Sequence, residues 1–147
     1  MKKITLVSFV LGLFWFTTTQ GQTAETNLQL SNITIELNGQ KVSAEPLASA
    51  FVASDTPTSV FLYKTDELSC YAEFTYKHKG NRAKLVHRNY IVLRDGSKKY
   101  SKSLKEMQEL KVSVPGAFKG KASSSLLYNR AQMSNVFISY SFNYTYN

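Results

Sequence analysis

Residues 67–94 read ELSCYAEFTYKHKGNRAKLVHRNYIVLR, and this stretch decides the fold. Apolar and polar residues alternate on both sides of its centre, which is the pattern of two half-buried strands joined as a hairpin. Gly80 and Asn81 suit the two-residue turn between them, because glycine adopts the positive φ that the first turn position requires. This turn predicts a register in which Tyr71 faces Tyr90 across the pair.

The predicted register gives the hairpin two different faces. Glu73 falls opposite Arg88 on the face that carries the tyrosine pair, whereas Cys70 falls opposite Ile91 on the other face. Opposite charges and aromatic rings in facing positions each stabilise a strand pair by about 0.2–1 kcal/mol. A slip of one residue would lose these pairs and turn Cys70 toward water. We therefore expect the first face to be exposed and the second to be buried.

Further strands are predicted on both sides of the hairpin. Residues 28–37 alternate in the same way and end at Asn38 and Gly39, which tolerate the positive φ angles of a tight turn. The last segment, residues 136–146, alternates without interruption and contains no charged side chain. Residues 46–54 are compatible with either a helical turn or a loop. A conservative count gives about seven short strands.

These strands predict an all-β chain, with residues 22–147 forming a single antiparallel β-sandwich of immunoglobulin-like size and strand count. About 126 residues remain after a predicted signal peptide over residues 1–21, which is close to the commonest domain size. The chain has one cysteine, so it cannot form an intramolecular disulfide bond. Packing alone must therefore hold the sandwich together.

The N-terminus has the pattern of a secretory signal peptide. Lys2 and Lys3 precede a largely apolar segment of about thirteen residues, and small and polar residues follow it as far as Gly21. A membrane-spanning helix needs roughly 20 apolar residues, so we expect cleavage after Gly21 and no transmembrane helix. A later cut, after Ala24, is left open. The two-lysine start is typical of bacterial export, which predicts a secreted or periplasmic protein.

The charges are unevenly distributed along the predicted mature chain. Residues 22–76 contain two basic and seven acidic residues, whereas residues 77–105 contain ten basic residues and one acidic residue. A basic surface that also carries aromatic rings can bind an anionic polymer through charge attraction and stacking. Export disfavours nucleic acid as that polymer, and the alternative is a face that is simply solvated. The candidate binding face consists of Tyr71, Lys77, Lys84, Arg88, Tyr90, Arg94, Lys98 and Lys99.

The uncharged last segment offers a second hypothesis. A long strand without charge is a potential pairing edge that can accept a strand from a partner protein. The candidate pairing strand carries Tyr140, Phe142 and Tyr144. A strand of a small outer-membrane barrel is the less favoured alternative, because eight strands of about ten residues would take up most of the mature chain.

No constellation of residues indicates catalysis, a metal or a cofactor. His78 and His87, the only histidines, are predicted to lie too far apart along the hairpin to share a metal ion. Glu67 and Glu73 face basic residues, which favours ion pairs over a catalytic carboxylate pair. No nucleophile, phosphate-loop or dinucleotide motif is present.

The sequence therefore predicts a non-catalytic module that binds an anionic surface polymer or another protein. The alternative is a structural component of a cell-surface assembly that is held by strand pairing. The oligomeric state is left open.

Overall fold

The computed structural model describes residues 25–101, 110–111 and 116–146, and the predicted signal peptide lies outside them. These residues form ten strands and, within the same ranges, no helix. None of them belongs to a helix long and apolar enough to cross a membrane. The strands are β1 (Leu28–Leu37), β2 (Gln40–Val42), β3 (Leu47–Ala50), β4 (Thr58–Lys64), β5 (Leu68–Lys79), β6 (Arg82–Leu93), β7 (Lys98–Tyr100), β8 (Leu110–Lys111), β9 (Gly116–Asn129) and β10 (Ser134–Tyr146).

The strands make two antiparallel sheets. Sheet I has the order β2-β1-β10-β9, and β3 pairs with the same edge of β1 as β2 does. Sheet II has the order β4-β5-β6-β7, and β8 pairs with β6 near its other end. Among the described strands, the chain order changes sheet twice, between β3 and β4 and between β8 and β9. An immunoglobulin sandwich crosses three times, so the predicted likeness in size and strand count does not extend to the strand order.

The β5–β6 hairpin has the predicted register. Leu68 pairs with Leu93 at one end and Lys79 with Arg82 at the other, without a bulge between them. Gly80 has a φ of 60° at the first turn position, as the turn type requires. The turn between β1 and β2 is confirmed as well, because both Asn38 and Gly39 have positive φ.

The core lies between the inner faces of the two sheets. Phe74 of sheet II contacts Phe142 of sheet I with ring centroids 5.6 Å apart, and Tyr76 contacts Tyr144 at 5.2 Å. Cys70 is fully buried in the same cluster, as its predicted position opposite Ile91 requires. The sheets thus pack face to face in a sandwich-like arrangement without any disulfide bond.

A buried polar residue connects the two sheets. Asn89 of β6 is 2% exposed, and its Nδ2 donates to Ser124 Oγ at 2.7 Å. Tyr140 donates its hydroxyl hydrogen to Asn89 Oδ1, also at 2.7 Å. Buried polar groups need such partners, and these two bonds join β6 to β9 and β10. They link the two sheets through the core.

Candidate binding face

Four aromatic side chains form a row across the outer face of sheet II. Phe61 of β4 pairs with Tyr71 of β5, which pairs with Tyr90 of β6, which pairs with Tyr100 of β7. The ring centroids of successive members are 5.8, 5.0 and 5.2 Å apart, within the range of favourable aromatic pairs. We call these four residues the aromatic ladder. It crosses the whole width of the sheet.

The members of the ladder differ in exposure. Tyr90 is only 6% exposed, since its ring stacks against Tyr71 and its hydroxyl donates to Ser59 Oγ at 2.8 Å. Phe61 and Tyr100 are 44% and 43% exposed, and Tyr71 is half-buried. Tyr90 therefore anchors the row, while the other three rings offer apolar surface to a ligand.

Two cations flank the ladder. The Arg88 guanidinium lies 4.0 Å from the centre of the Tyr100 ring, and Lys98 Nζ lies 5.5 Å from the centre of the Tyr90 ring. Both distances are within the range of cation–π attraction. Arg88 also forms the predicted ion pair with Glu73, with Nε and Oε1 2.7 Å apart. A ligand on the rings would therefore meet positive charge on both sides of the row.

Most of the predicted binding residues share this outer face. Strand alternation places them there with the ladder, and Lys77 and Lys84 face each other near the hairpin turn. Arg94 follows the end of β6, where its backbone N–H donates to the Glu67 carbonyl at 2.8 Å. The predicted residues that lie on the face are Tyr71, Lys77, Lys84, Arg88, Tyr90 and Lys98.

The prediction for Lys99 is corrected. Lys99 pairs with Ile91, whose side chain is in the core, so Lys99 points to the opposite side of the sheet from Lys98. Its Nζ donates to the Tyr128 carbonyl oxygen of sheet I at 3.1 Å. Adjacent residues in a strand always point to opposite faces, so Lys98 and Lys99 could not both belong to the binding face.

Sequence reasoning missed Phe61 and Tyr100 at the two ends of the ladder. The sequence carried a signal for Tyr100 in the glycine turn that follows β6. In the structure, Gly96 has a φ of 85°, and the Leu93 N–H donates to the Ser97 carbonyl oxygen. Carrying the register through that turn puts Tyr100 opposite Tyr90.

No comparable signal was available for Phe61, because a bulge interrupts the β4–β5 register and a loop precedes Leu68.

The candidate pairing strand is also corrected. The strand that carries Tyr140, Phe142 and Tyr144 is β10, which lies inside sheet I with β1 on one side and β9 on the other. Its backbone groups are already used in two ladders of hydrogen bonds. The three aromatic side chains are at most 6% exposed and belong to the core. β10 therefore cannot accept a strand from a partner.

Burial shifts the pKa values of two groups with potential chemical reactivity. Burial raises the pKa of the Cys70 thiol to about 12, so the thiolate that a nucleophile needs is not formed near neutral pH. The His87 ring stacks on Phe74 and contacts Phe142 at a tilt, and burial lowers the pKa of His87. Within the described parts of the chain, no three potential ligand residues cluster as a metal site would require.

Comparison with known proteins identifies no relative of this chain. No family model, no curated protein and no solved structure matches it. The function must therefore be argued from the site itself.

Proposed function

We propose that this protein is a secreted or periplasmic, non-catalytic module that binds an anionic polymer on the outer face of sheet II. The observation that carries the proposal is the aromatic ladder, with exposed rings at Phe61 and Tyr100 and cations beside it. Stacking and charge attraction act together on such a surface.

The shape of the face favours an extended ligand. The ladder crosses four strands, and three strand spacings of about 4.8 Å give it a length of roughly 14 Å. Its rings present apolar surface in a row, which suits successive rings of a polymer better than a single small molecule. The sugar rings of a polysaccharide offer apolar C–H faces for stacking, and their sulfate, phosphate or carboxylate groups would meet Arg88 and Lys98.

The predicted export of the chain supports a polysaccharide as the polymer. The signal peptide over residues 1–21 would deliver the mature protein to a compartment where acidic polysaccharides are abundant and nucleic acid is not. Sequencing of the N-terminus of the mature protein tests this point. We expect Gln22 as the first residue, and a protein that retains Met1 in the cytoplasmic fraction would contradict it.

Binding to matched polymers tests the proposal. We expect a sulfated polysaccharide to bind and neutral dextran not to bind. Raising the salt from about 50 to about 200 mM should weaken binding several-fold, because the Debye length is only about 10 Å near 0.1 M. Equal binding of the charged and neutral polymers would contradict the proposal.

Two pairs of variants locate the binding surface. Phe61→Ala should lower affinity about fivefold, since a stacked ring contributes about 1 kcal/mol. Phe51→Ala is its control, because Phe51 is 53% exposed but lies outside the ladder. Lys98→Ala should weaken binding, whereas Lys121→Ala, which changes an exposed lysine on sheet I, should not. A similar loss for both members of either pair would place the ligand elsewhere.

A further inference from the structure

The tip of the β5–β6 hairpin concentrates positive charge in an unusual arrangement. Lys77 pairs directly with Lys84, and Lys79 pairs directly with Arg82 in the next row on the same face. All four side chains are exposed. Like charges in facing positions of an antiparallel pair repel each other. Two such rows in succession therefore work against the hairpin that contains them.

The same hairpin uses complementary charge elsewhere. Glu73 faces Arg88 nearer its centre, and the two side chains form an ion pair. The repulsive rows are confined to the tip, next to Gly80. Solubility alone would be served equally well by alternating charges, so the arrangement at the tip requires another explanation.

A groove lies at this tip. Its volume is about 490 Å³, and among the described residues that line it Asp55 is the acidic one. Asp55 is held beside the hairpin by its backbone N–H, which donates to the Tyr76 carbonyl at 2.8 Å. The volume falls in the range of small-ligand sites. The remaining lining residues are Lys77, His78, Lys79, Arg82, Ala83 and Lys84.

We propose that the hairpin tip binds a multiply charged tetrahedral oxyanion, such as a phosphate or sulfate ester group. Among the described residues of the groove, Lys77, Lys79 and Lys84 stand against one carboxylate, Asp55. This excess of positive charge favours an anion that carries more than one negative charge. Lysine ammonium groups bind such an anion as mobile point charges. This site is separate from the aromatic ladder, since Lys77 follows Tyr71 by six residues, or roughly 20 Å along the strand.

Thermal unfolding in phosphate tests the site. At equal ionic strength, we expect saturating sodium phosphate to raise the Tm of the protein by about 3 °C relative to sodium chloride, because a ligand that binds only the folded state stabilises it. The same shift in both salts would overturn the proposal, since it would reflect screening alone.

Lys84→Glu separates a binding site from a merely solvated tip. The variant replaces a repulsive pair with an attractive one, so its Tm at low salt should be above that of the wild type. Its response to phosphate should be lost. Lys121→Glu on sheet I is the matched control and should keep the wild-type response. A Lys84→Glu variant that still responds to phosphate would overturn the proposal.

The source of the oxyanion is resolved by a third variant, Tyr100→Ala, which should leave the response to inorganic phosphate unchanged. If both Tyr100→Ala and Lys84→Glu lower the affinity for a sulfated polysaccharide, the oxyanion at the tip is a group of the polymer itself. An affinity that falls only in Tyr100→Ala would identify a free anion as the ligand of the tip. If the phosphate response persists while no polymer binds, the polymer-binding proposal fails and the hairpin-tip site stands.

Discussion

Strands β5 and β6 carry aromatic residues on both faces, and the two sets differ in what covers them. On the inner face, Phe74 and Tyr76 pack against aromatic rings of sheet I and are at most 8% exposed. On the outer face, Tyr71 and Tyr90 belong to a ladder whose ends, Phe61 and Tyr100, remain more than two-fifths exposed. The inner rings are explained by packing in the core, whereas we propose that the outer rings serve binding.

The difference separates rings that stabilise the fold from rings that packing does not explain. Burial of a large apolar side chain stabilises a fold by about 1.5–3 kcal/mol, and exposed rings do not realise that gain. Single exposed apolar residues are normal on protein surfaces. A row of contacting rings with cations 4.0 and 5.5 Å from two ring centres is a more specific feature. The row lies on the outer face of sheet II, away from the core.

The largest effect is expected from Phe74→Ala on the inner face. Removing this ring leaves a cavity beside Tyr140, His87 and Phe142, and such truncations cost about 3–5 kcal/mol of unfolding free energy. Phe61→Ala on the outer face should cost less than about 1 kcal/mol. Urea unfolding of both variants measures the contrast. Similar losses in the two variants would mean that the faces do not differ in the way we describe.

Tyr140→Phe should have the next largest effect. Without the hydroxyl group, Asn89 Oδ1 loses the donor at 2.7 Å in a position that is 2% exposed, and an unpaired buried acceptor costs about 1–3 kcal/mol. Tyr71→Phe, which removes a hydroxyl group from the outer face, should change stability by less than about 0.5 kcal/mol. Denaturation midpoints compare the two variants. A stable Tyr140→Phe protein would show that the bond to Asn89 does not hold the sheets together.

The inner face should also make stability depend on pH through His87. Burial lowers the pKa of His87 in the folded protein below the ordinary value of about 6.5, so the unfolded chain takes up a proton first as the pH falls. The unfolding free energy should therefore decrease as the pH falls through about 6.5, with a slope of at most about 1.4 kcal/mol per pH unit.

His87→Gln should remove this component of the pH dependence, because the glutamine side chain does not titrate. Replacement of the exposed His78 by Gln should leave it in place. Unfolding curves recorded between pH 7 and pH 5 give the slopes. An unchanged slope in His87→Gln would assign the pH dependence to other groups.

The smallest effect concerns the charge beside the ladder. Glu73 neutralises Arg88 in the ion pair at 2.7 Å, so Glu73→Gln should leave Arg88 with its full positive charge next to Tyr100. We expect the affinity for an anionic polysaccharide to rise by about 1.4-fold to fivefold, since exposed ion pairs contribute about 0.2–1 kcal/mol. Glu36→Gln on sheet I is the control. A fall in affinity would show that Glu73 positions Arg88 for binding.

Local sequence patterns predicted the hairpins but not the neighbours of each strand. Gly80 and the alternation around it determine the β5–β6 register, and Asn38 and Gly39 determine the first turn. The alternation in residues 136–146 is the same for a central strand and an edge strand. That is why the pattern identified β10 as a strand and still gave it the wrong position. The missing information was the long-range pairing of β10 with β1.

The candidate site was predicted in part for the same reason. Tyr71 and Tyr90 were found because the hairpin turn places them opposite each other. Phe61 and Tyr100 join them only through strands β4 and β7, whose registers depend on a bulge and a second turn. Strand β3 was not predicted either. Its four residues pair directly with β1, although β2 lies between the two strands in the sequence.

The most direct test of the central claim is a titration of the protein with a sulfated oligosaccharide, followed through the aromatic NMR resonances. The two faces of sheet II are then observed in one experiment. We predict that the resonances of Phe61, Tyr71 and Tyr100 shift with the ligand, while those of Phe74 and Tyr76 keep their positions. Shifts confined to the outer face of sheet I, or no shifts in the ladder at saturating ligand, would contradict the account.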